Sequence, residues 1–202
     1  MGRRKGNTRE RIMEEALRLF SIDGFEAVSI RTIADAVGIG NSALYKHFKS
    51  KREIFDSIVE MEKERYVQLC ENVSTDMRGI EAVKEACLSM FRFQTTDEAI
   101  VAFRRLLLHE KFKDPQIAEI YKTFFVDIPI QNQVRIFTYL QEKGLMIDGD
   151  VTVFAMELYA PFYLYHFVEF EPEILFEQFE KHIKYFFNTH FIKDNSNRVR
   201  KE

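Results

Sequence analysis

Tryptophan is absent from this 202-residue chain, and cysteine, proline and glycine are scarce, at two, four and eight. Each shortage excludes something. Cys70 and Cys87 make no CxxC pair, and no histidine stands at zinc-finger spacing from them. A zinc module or disulfide scaffold is therefore not expected, and the two read as buried thiols of a reducing compartment. So few glycines and prolines, with only short β-branched runs, argue against a turn-rich β protein. The opening MGRRKGNTRERI has no apolar core of a signal peptide. The most apolar stretch, Val151 to Phe170, is interrupted by Glu157, His166 and Glu169. Those residues suit a buried helix of a cytoplasmic protein better than a membrane span. Missing too are a phosphate-binding glycine loop, a nucleophile–base pair and a metal-spaced cluster, so neither an enzyme, a cofactor nor a metal is expected.

What is present points to helices. Hydrophobic residues make up 46% of the chain, enough for a packed core, and phenylalanine alone reaches twenty. Net charge is −3, but it is unevenly spread. Residues 1–52 carry eleven Lys/Arg against six Asp/Glu, a net of +5, and the remainder carries eighteen against twenty-six, a net of −8. A basic head on an acidic body is what a chain needs when only its head meets a polyanion.

Capping signals divide the chain into nine helices. Asn7 and Glu10 form a capping-box pair ahead of Ile12, Ala16, Leu19 and Phe20, and Gly24 closes that helix. Ser50 and Glu53 open a long helix to about Asn72 that crosses from head to body. Another helix runs from Gly79 to about Thr95, and Thr95 with Glu98 reads as a further capping box. Asp114-Pro115 starts a helix ending at Gly144, which Pro129 should kink or break. Asp150 opens an apolar helix with Pro161 inside it, and Pro172 begins the last one. The tail 193–202 is polar and reads as disordered.

Between Ser29 and Lys51 the chain reads SIRTIADAVGIGNSALYKHFKSK. Ser29 is an N-cap, Ile30, Ile33, Ala34 and Val37 recur at helical spacing, and Gly38 suits a left-handed helix end. Leu44 and Phe48, one turn apart, face inward. Asn41, Ser42, Tyr45, Lys46 and His47 are left to point elsewhere, which is what a major-groove reader requires. This is a helix-turn-helix.

The combination resembles the TetR family of bacterial transcriptional regulators. The resemblance rests on Phe20, Gly24-Phe25, Thr32, Ile33, Ala34, Val37, Gly38, Leu44, Tyr45, His47, Phe48, Lys51 and Phe55, in the first quarter of the chain. It implies an all-α, two-domain fold: a helix-turn-helix DNA-binding domain over 1–50 and a helical ligand-binding and dimerisation domain over 51–192. It assigns base contacts to Asn41, Ser42 and Lys46, with Arg31 from the preceding helix, and phosphate contacts to Thr32, Tyr45, His47 and Lys51. Chemistry agrees, since Asn pairs with adenine, Arg or Lys with guanine, and hydroxyls and lysines suit phosphate. Ala43 departs from the more usual Ser or Thr and cannot donate a hydrogen bond. Arg3, Arg4 and Lys5 read equally well as a minor-groove arm or a solvated terminus, and Arg31 has Asp35 in reach one turn on.

For the body, the resemblance implies a small-molecule effector, of apolar or aromatic character, that resets the spacing of two heads on a palindromic operator. Phe91, Phe103, Tyr121, Phe124, Phe125, Phe162, Tyr163 and Phe167 supply aromatic surface for a cavity or simply fill a core. A helix broken at Pro129 or Pro161 opens space. Arg104, His109, Gln131, Asn132, Glu157 and His166 are candidates to orient a polar end. The last two helices are expected to join a homodimer, because Val153, Phe154, Met156, Tyr159, Ala160 and Tyr163 cannot all face one core. The resemblance thus implies a ligand-responsive repressor, and two other readings stand beside it: a helical binding or sequestering protein without operator binding, and an enzyme using Glu157 and His166.

Overall fold

A computed structural model describes residues 7–74, 79–167 and 171–192. The Arg3-Arg4-Lys5 arm, the Cys70 side chain, Glu169 and the tail 193–202 lie outside the described residues. The described chain is all-helical: α1 (Thr8–Asp23), α2 (Ile30–Val37), α3 (Asn41–Leu44), α4 (Lys51–Ser74), α5 (Ile80–Thr96), α6 (Glu98–Glu110), α7 (Pro115–Lys122), α8 (Ile128–Glu142), α9 (Val151–Phe167) and α10 (Pro172–His190). A π-helical turn, Thr123–Asp127, joins α7 to α8 without a break. Counted as one run, these give nine helices among the described residues, as the capping signals predict.

Most of those signals hold in detail. Asn7 and Glu10 form a reciprocal capping box on α1, and Ser50 Oγ accepts the Glu53 amide at 3.0 Å. Asp114 Oδ1 accepts the Gln116 amide at 2.8 Å, with Pro115 as the first residue of α7. One signal fails. Thr95 and Glu98 are not a capping box; Thr95 is still within α5, its hydroxyl donating to the Phe91 carbonyl at 2.8 Å. Asp97 caps α6 instead, accepting the Ile100 amide at 3.0 Å. A carboxylate placed one residue before the helix is the better acceptor for its first free amides.

The two internal prolines behave differently. Pro129 cannot donate to the carbonyl four residues back, and its ring crowds that carbonyl. The chain answers with the π turn ahead of it. Pro161 leaves α9 uninterrupted from Val151 to Phe167.

The chain packs as two compact units, Met1–Asn72 with Asp97–Lys122, and Val73–Thr96 with Thr123–Glu202. These units do not coincide with a division at residue 50, because α1 lies along α6 and α2 while α6 also packs on α7. In the first unit Ile12, Phe20, Ile33, Leu44, Phe48, Ile54, Phe55, Phe103 and Leu106 are fully buried or nearly so. In the second, Phe91 stacks on Phe179 at 3.7 Å between centroids, with Phe162 edge-on to both. Phe137, Phe186, Phe187 and Phe191 extend the same core. Each buried phenylalanine contributes about 1.5–3 kcal/mol of transfer free energy. The segment after Gly144 is tied to the end of α10 by Ile147 N–H to His190 O and Ile192 N–H to Leu145 O, at 2.9 and 3.0 Å.

Candidate nucleic-acid interface

Local hydrogen bonds fix α2 at both ends. Ser29 Oγ accepts the Thr32 amide at 3.0 Å and lies 2.8 Å from the Thr32 hydroxyl. At the other end Gly38 adopts φ 76°, ψ 36°, and Ile39 N–H returns to Ala34 O at 3.0 Å. That left-handed conformation costs glycine nothing and reverses the chain. Arg11, from α1, donates to the Val37 carbonyl at 2.7 Å. Gly40 then leads into α3, whose Leu44 is fully buried, as is Phe48 just beyond it. The Arg9 guanidinium covers the Phe48 ring at 4.5 Å.

With Leu44 and Phe48 committed inward, the remaining side chains turn out. Asn41, Ser42, Tyr45 and Lys46 are exposed, and Ala43 and His47 are half-buried. Tyr45 keeps 52% of its surface in solvent, an unusual position for a large ring with no covering neighbour. Arg31 and Thr32 are also exposed. Arg31 Nε lies 3.8 Å from Asp35, but both side chains are mostly solvated, so this ion pair is weak and does not commit Arg31.

Residues 12–58 match the model of bacterial regulatory proteins, tetR family. Over that stretch the chain is similar to the DNA-binding head of that family. A stretch of 103 residues is 32% identical to the HTH-type transcriptional regulator AcrR of Shigella flexneri, over 50% of this chain and 46% of that one. The chain thus spans about half the length of that curated relative or less. Its fold is similar over nearly its whole length to two solved structures. One is the SmeT–triclosan complex, at TM-score 0.72 and 23% identity over 93% of both chains. The other is the ketosteroid transcriptional regulator KstR2 of Mycobacterium tuberculosis, at TM-score 0.65 and 18% identity, over 94% of this chain and 98% of that one.

Within the matched residues, Lys51 occupies an unforeseen place. Its Nζ donates to the Phe25 and Glu26 carbonyls at 2.6 and 3.2 Å and sits 4.4 Å above the Phe25 ring. Two of its three N–H groups are therefore engaged by the α1–α2 loop. On the other side of that loop, Glu110 of α6 is buried, and its Oε1 accepts the Phe25 amide at 3.2 Å. Gly24, at φ 84°, is required there: a Cβ would stand 3.2 Å from the same Glu110 oxygen. Nothing in the sequence around Glu110 marks it. The only trace of this arrangement is the glycine it faces.

The residues proposed to meet an effector fall into separate groups. Arg104 and Tyr121 are buried in the head-bearing unit, on α6 and α7, with Phe103 beside them in sequence and fully buried. Burial pushes the Arg104 guanidinium down to about 10, against the opposing influence of Tyr121; burial likewise raises the Tyr121 phenol, opposed by Arg104. In the second unit, Phe91 and Phe162 belong to the stacked core. Phe125, on the π turn, meets the His166 ring edge-on at 5.5 Å, and His166 meets Tyr163 at 5.9 Å. Among the other polar candidates, His109 and Gln131 are exposed and Asn132 is held by Arg135. Glu157 is taken by His190, whose Nε2 lies 3.0 Å from it, while His166 is ringed by aromatics. No group of three His, Cys, Asp or Glu among the described residues is placed to hold a metal ion, and no described helix is long and apolar enough to cross a membrane.

Proposed function

We propose that this chain is a ligand-responsive transcriptional repressor that binds a palindromic operator as a homodimer and is released by a small apolar or aromatic molecule. The observation that carries the reading is the division of α3 and the turn after it: Leu44 and Phe48 buried, and Asn41, Ser42, Tyr45 and Lys46 exposed on a segment whose neighbouring helix is capped and locked. Asn41, Ser42, Lys46 and Arg31 would read base edges in the major groove, and Tyr45, Thr32 and His47 would hold phosphate. Lys51 belongs to this set through the loop it grips.

Dimerisation is supported by an apolar stripe on α9. Val153, Met156, Ala160, Leu164 and Phe167 recur every three or four residues and are all exposed. Ile174 and Tyr185 of α10 are exposed as well. Of the residues expected at such an interface, Tyr159 is buried and Phe154 and Tyr163 half-buried, so those three serve the subunit's own core. A second copy would bury the stripe and pair two heads about 34–36 Å apart, one turn of DNA. An aromatic effector is supported by the Phe125–His166–Tyr163 ring group and by the triclosan in the SmeT complex. Gln133 of α8, buried with its amide nitrogen lacking a hydrogen-bond partner among the described residues, would donate to a polar end of such a molecule.

The decisive experiment is selection of duplex DNA from a random pool by the purified protein, followed by mobility-shift titration across salt. A palindrome bound with a steep loss of affinity at high salt is expected. Tyr45→Ala with Lys46→Ala should abolish the shift while leaving the fold intact. Failure to select any duplex at low salt, with retention of a small molecule, would favour the sequestering protein instead.

A further inference from the structure

We propose that Phe25 is the point at which α6 holds the reading head, and that Glu110 and Lys51 are positioning residues for operator binding, acting through that one loop residue. The proposal rests on the operator-binding reading and deepens it by naming how the head is set.

The geometry is a two-jawed clamp. Glu110, from the C-terminal end of α6, takes the Phe25 N–H at 3.2 Å, and Lys51, from the first turn of α4, takes the Phe25 carbonyl at 2.6 Å. Each backbone group therefore meets the charge that suits its dipole. The Phe25 ring is fixed as well, under the Lys51 ammonium and edge-on to Phe20 and Phe55, at 5.2 and 5.5 Å between centroids. Three residues further on, Val28 is buried and Ser29 caps α2, so the placement of Phe25 sets where α2 and α3 begin.

The far end of α6 is gripped too. Arg65 of α4 donates to both oxygens of Asp97, the α6 cap, at 3.0 and 3.1 Å, and to both oxygens of the fully buried Glu62. Helix α6 is thus a strut, held by α4 at one end and holding the head at the other. A displacement of α6 along its axis is delivered to the Phe25 amide, because Glu110 is buried and has no slack to absorb it. Lys113 Nζ lies 3.3 Å from the same carboxylate.

A phosphate-binding Lys51 and a clamping Lys51 differ in one measurable quantity. Loss of a direct phosphate contact lowers the slope of log affinity against log salt by about one, whereas loss of a positioning contact lowers affinity at unchanged slope. With the duplex selected by the wild-type protein, Lys51→Met is expected to weaken binding about tenfold at an unchanged salt slope. Glu110→Ala is expected to do the same, and Glu110→Gln, which keeps an oxygen for the Phe25 amide, to restore most of the affinity. The double variant Lys51→Met with Glu110→Ala should be little weaker than either single one, since both act on one residue. Independently of DNA, and of whether Glu110→Ala folds, hydrogen exchange of the Phe25 amide should quicken about tenfold in Lys51→Met. A salt slope reduced by about one in Lys51→Met, additive losses in the double variant, or an unaltered Phe25 exchange rate would overturn the clamp while leaving the operator reading intact. If the wild-type protein selects no duplex, the operator reading falls and the positioning role falls with it.

Discussion

The two packing units are built on different principles. The head-bearing unit is laced with directional polar contacts between distant residues: Arg11 to the Val37 carbonyl, Lys51 and Glu110 to Phe25, Arg52 to Asp114 and Gln116, Arg65 to Asp97. The second unit carries stacked and edge-on rings through its core, with Glu157 tied to His190 and Gln141 to the Ile147 and Gly149 carbonyls. Hydrogen bonds to charged groups specify angle and distance, whereas aromatic packing chiefly specifies volume. A surface that must match DNA needs the first kind of order. On the proposed function, a body that accommodates a ligand is served by the second.

The comparison can be broken from either side. The largest effect is expected in the aromatic unit: Phe91→Ala should cost about 3–5 kcal/mol in urea unfolding, because it leaves a cavity against Phe162 and Phe179. Phe91→Leu should recover most of that loss, and equal losses would show that ring geometry rather than volume matters there. In the head-bearing unit, Gly24→Ala should cost about 1–3 kcal/mol, since φ 84°, ψ 156° is a conformation essentially reserved for glycine. A neutral result would mean that the loop relaxes freely and is not fixed by Glu110. Ser29→Ala should cost about 1 kcal/mol by removing the acceptor for the Thr32 amide, read as a fall in melting temperature.

The smallest effect is a pH dependence. Burial raises the Glu62 carboxyl above its ordinary value of 4.5, against the lowering by Arg65. The folded state then holds this proton to higher pH than the unfolded chain does. Its contribution to stability is therefore lost as pH rises from about 4.5 through the raised value, and is constant above it. Glu62→Gln removes that slope, so the stability of the variant relative to wild type should climb between pH 4.5 and 7. A difference that stays flat with pH would place the Glu62 carboxyl at its ordinary value and make the Arg65 pair the stronger influence.

The parts of the fold legible in the sequence were those decided within one helical turn. Asn7 with Glu10, Ser29 and Gly38 each depend on partners at most five residues away, so residue type and spacing suffice to find them. The inward stripe of Leu44 and Phe48 was legible for the same reason, and with it the set of residues left to face outward. Thr95 was misread because the pattern of a hydroxyl three residues before a glutamate ignored the stronger acceptor at Asp97. Lys51 and Glu110 show the limit more sharply. Their partners are the backbone groups of Phe25, and a main-chain amide carries no sequence signature for a distant side chain to match. Pro129 announced a disruption, but whether the helix would bend, stop or widen depended on the surrounding packing.

That widened turn has a consequence for how the chain tolerates change. An α-helix advances about 100° per residue, and the π turn lets Thr123–Asp127 hold one residue more than an α turn would accept. Phe124 and Phe125, both buried, are phased against α8 by that surplus. Pro129, Gln133, Phe137 and Leu140, three or four residues apart, fall on one buried side of α8. Deleting a single residue between Thr123 and Asp127 would mend the helix locally and turn the buried Phe124 and Phe125 by about 100° against that side. In this stretch, the length of the chain is a stricter inheritance than its letters.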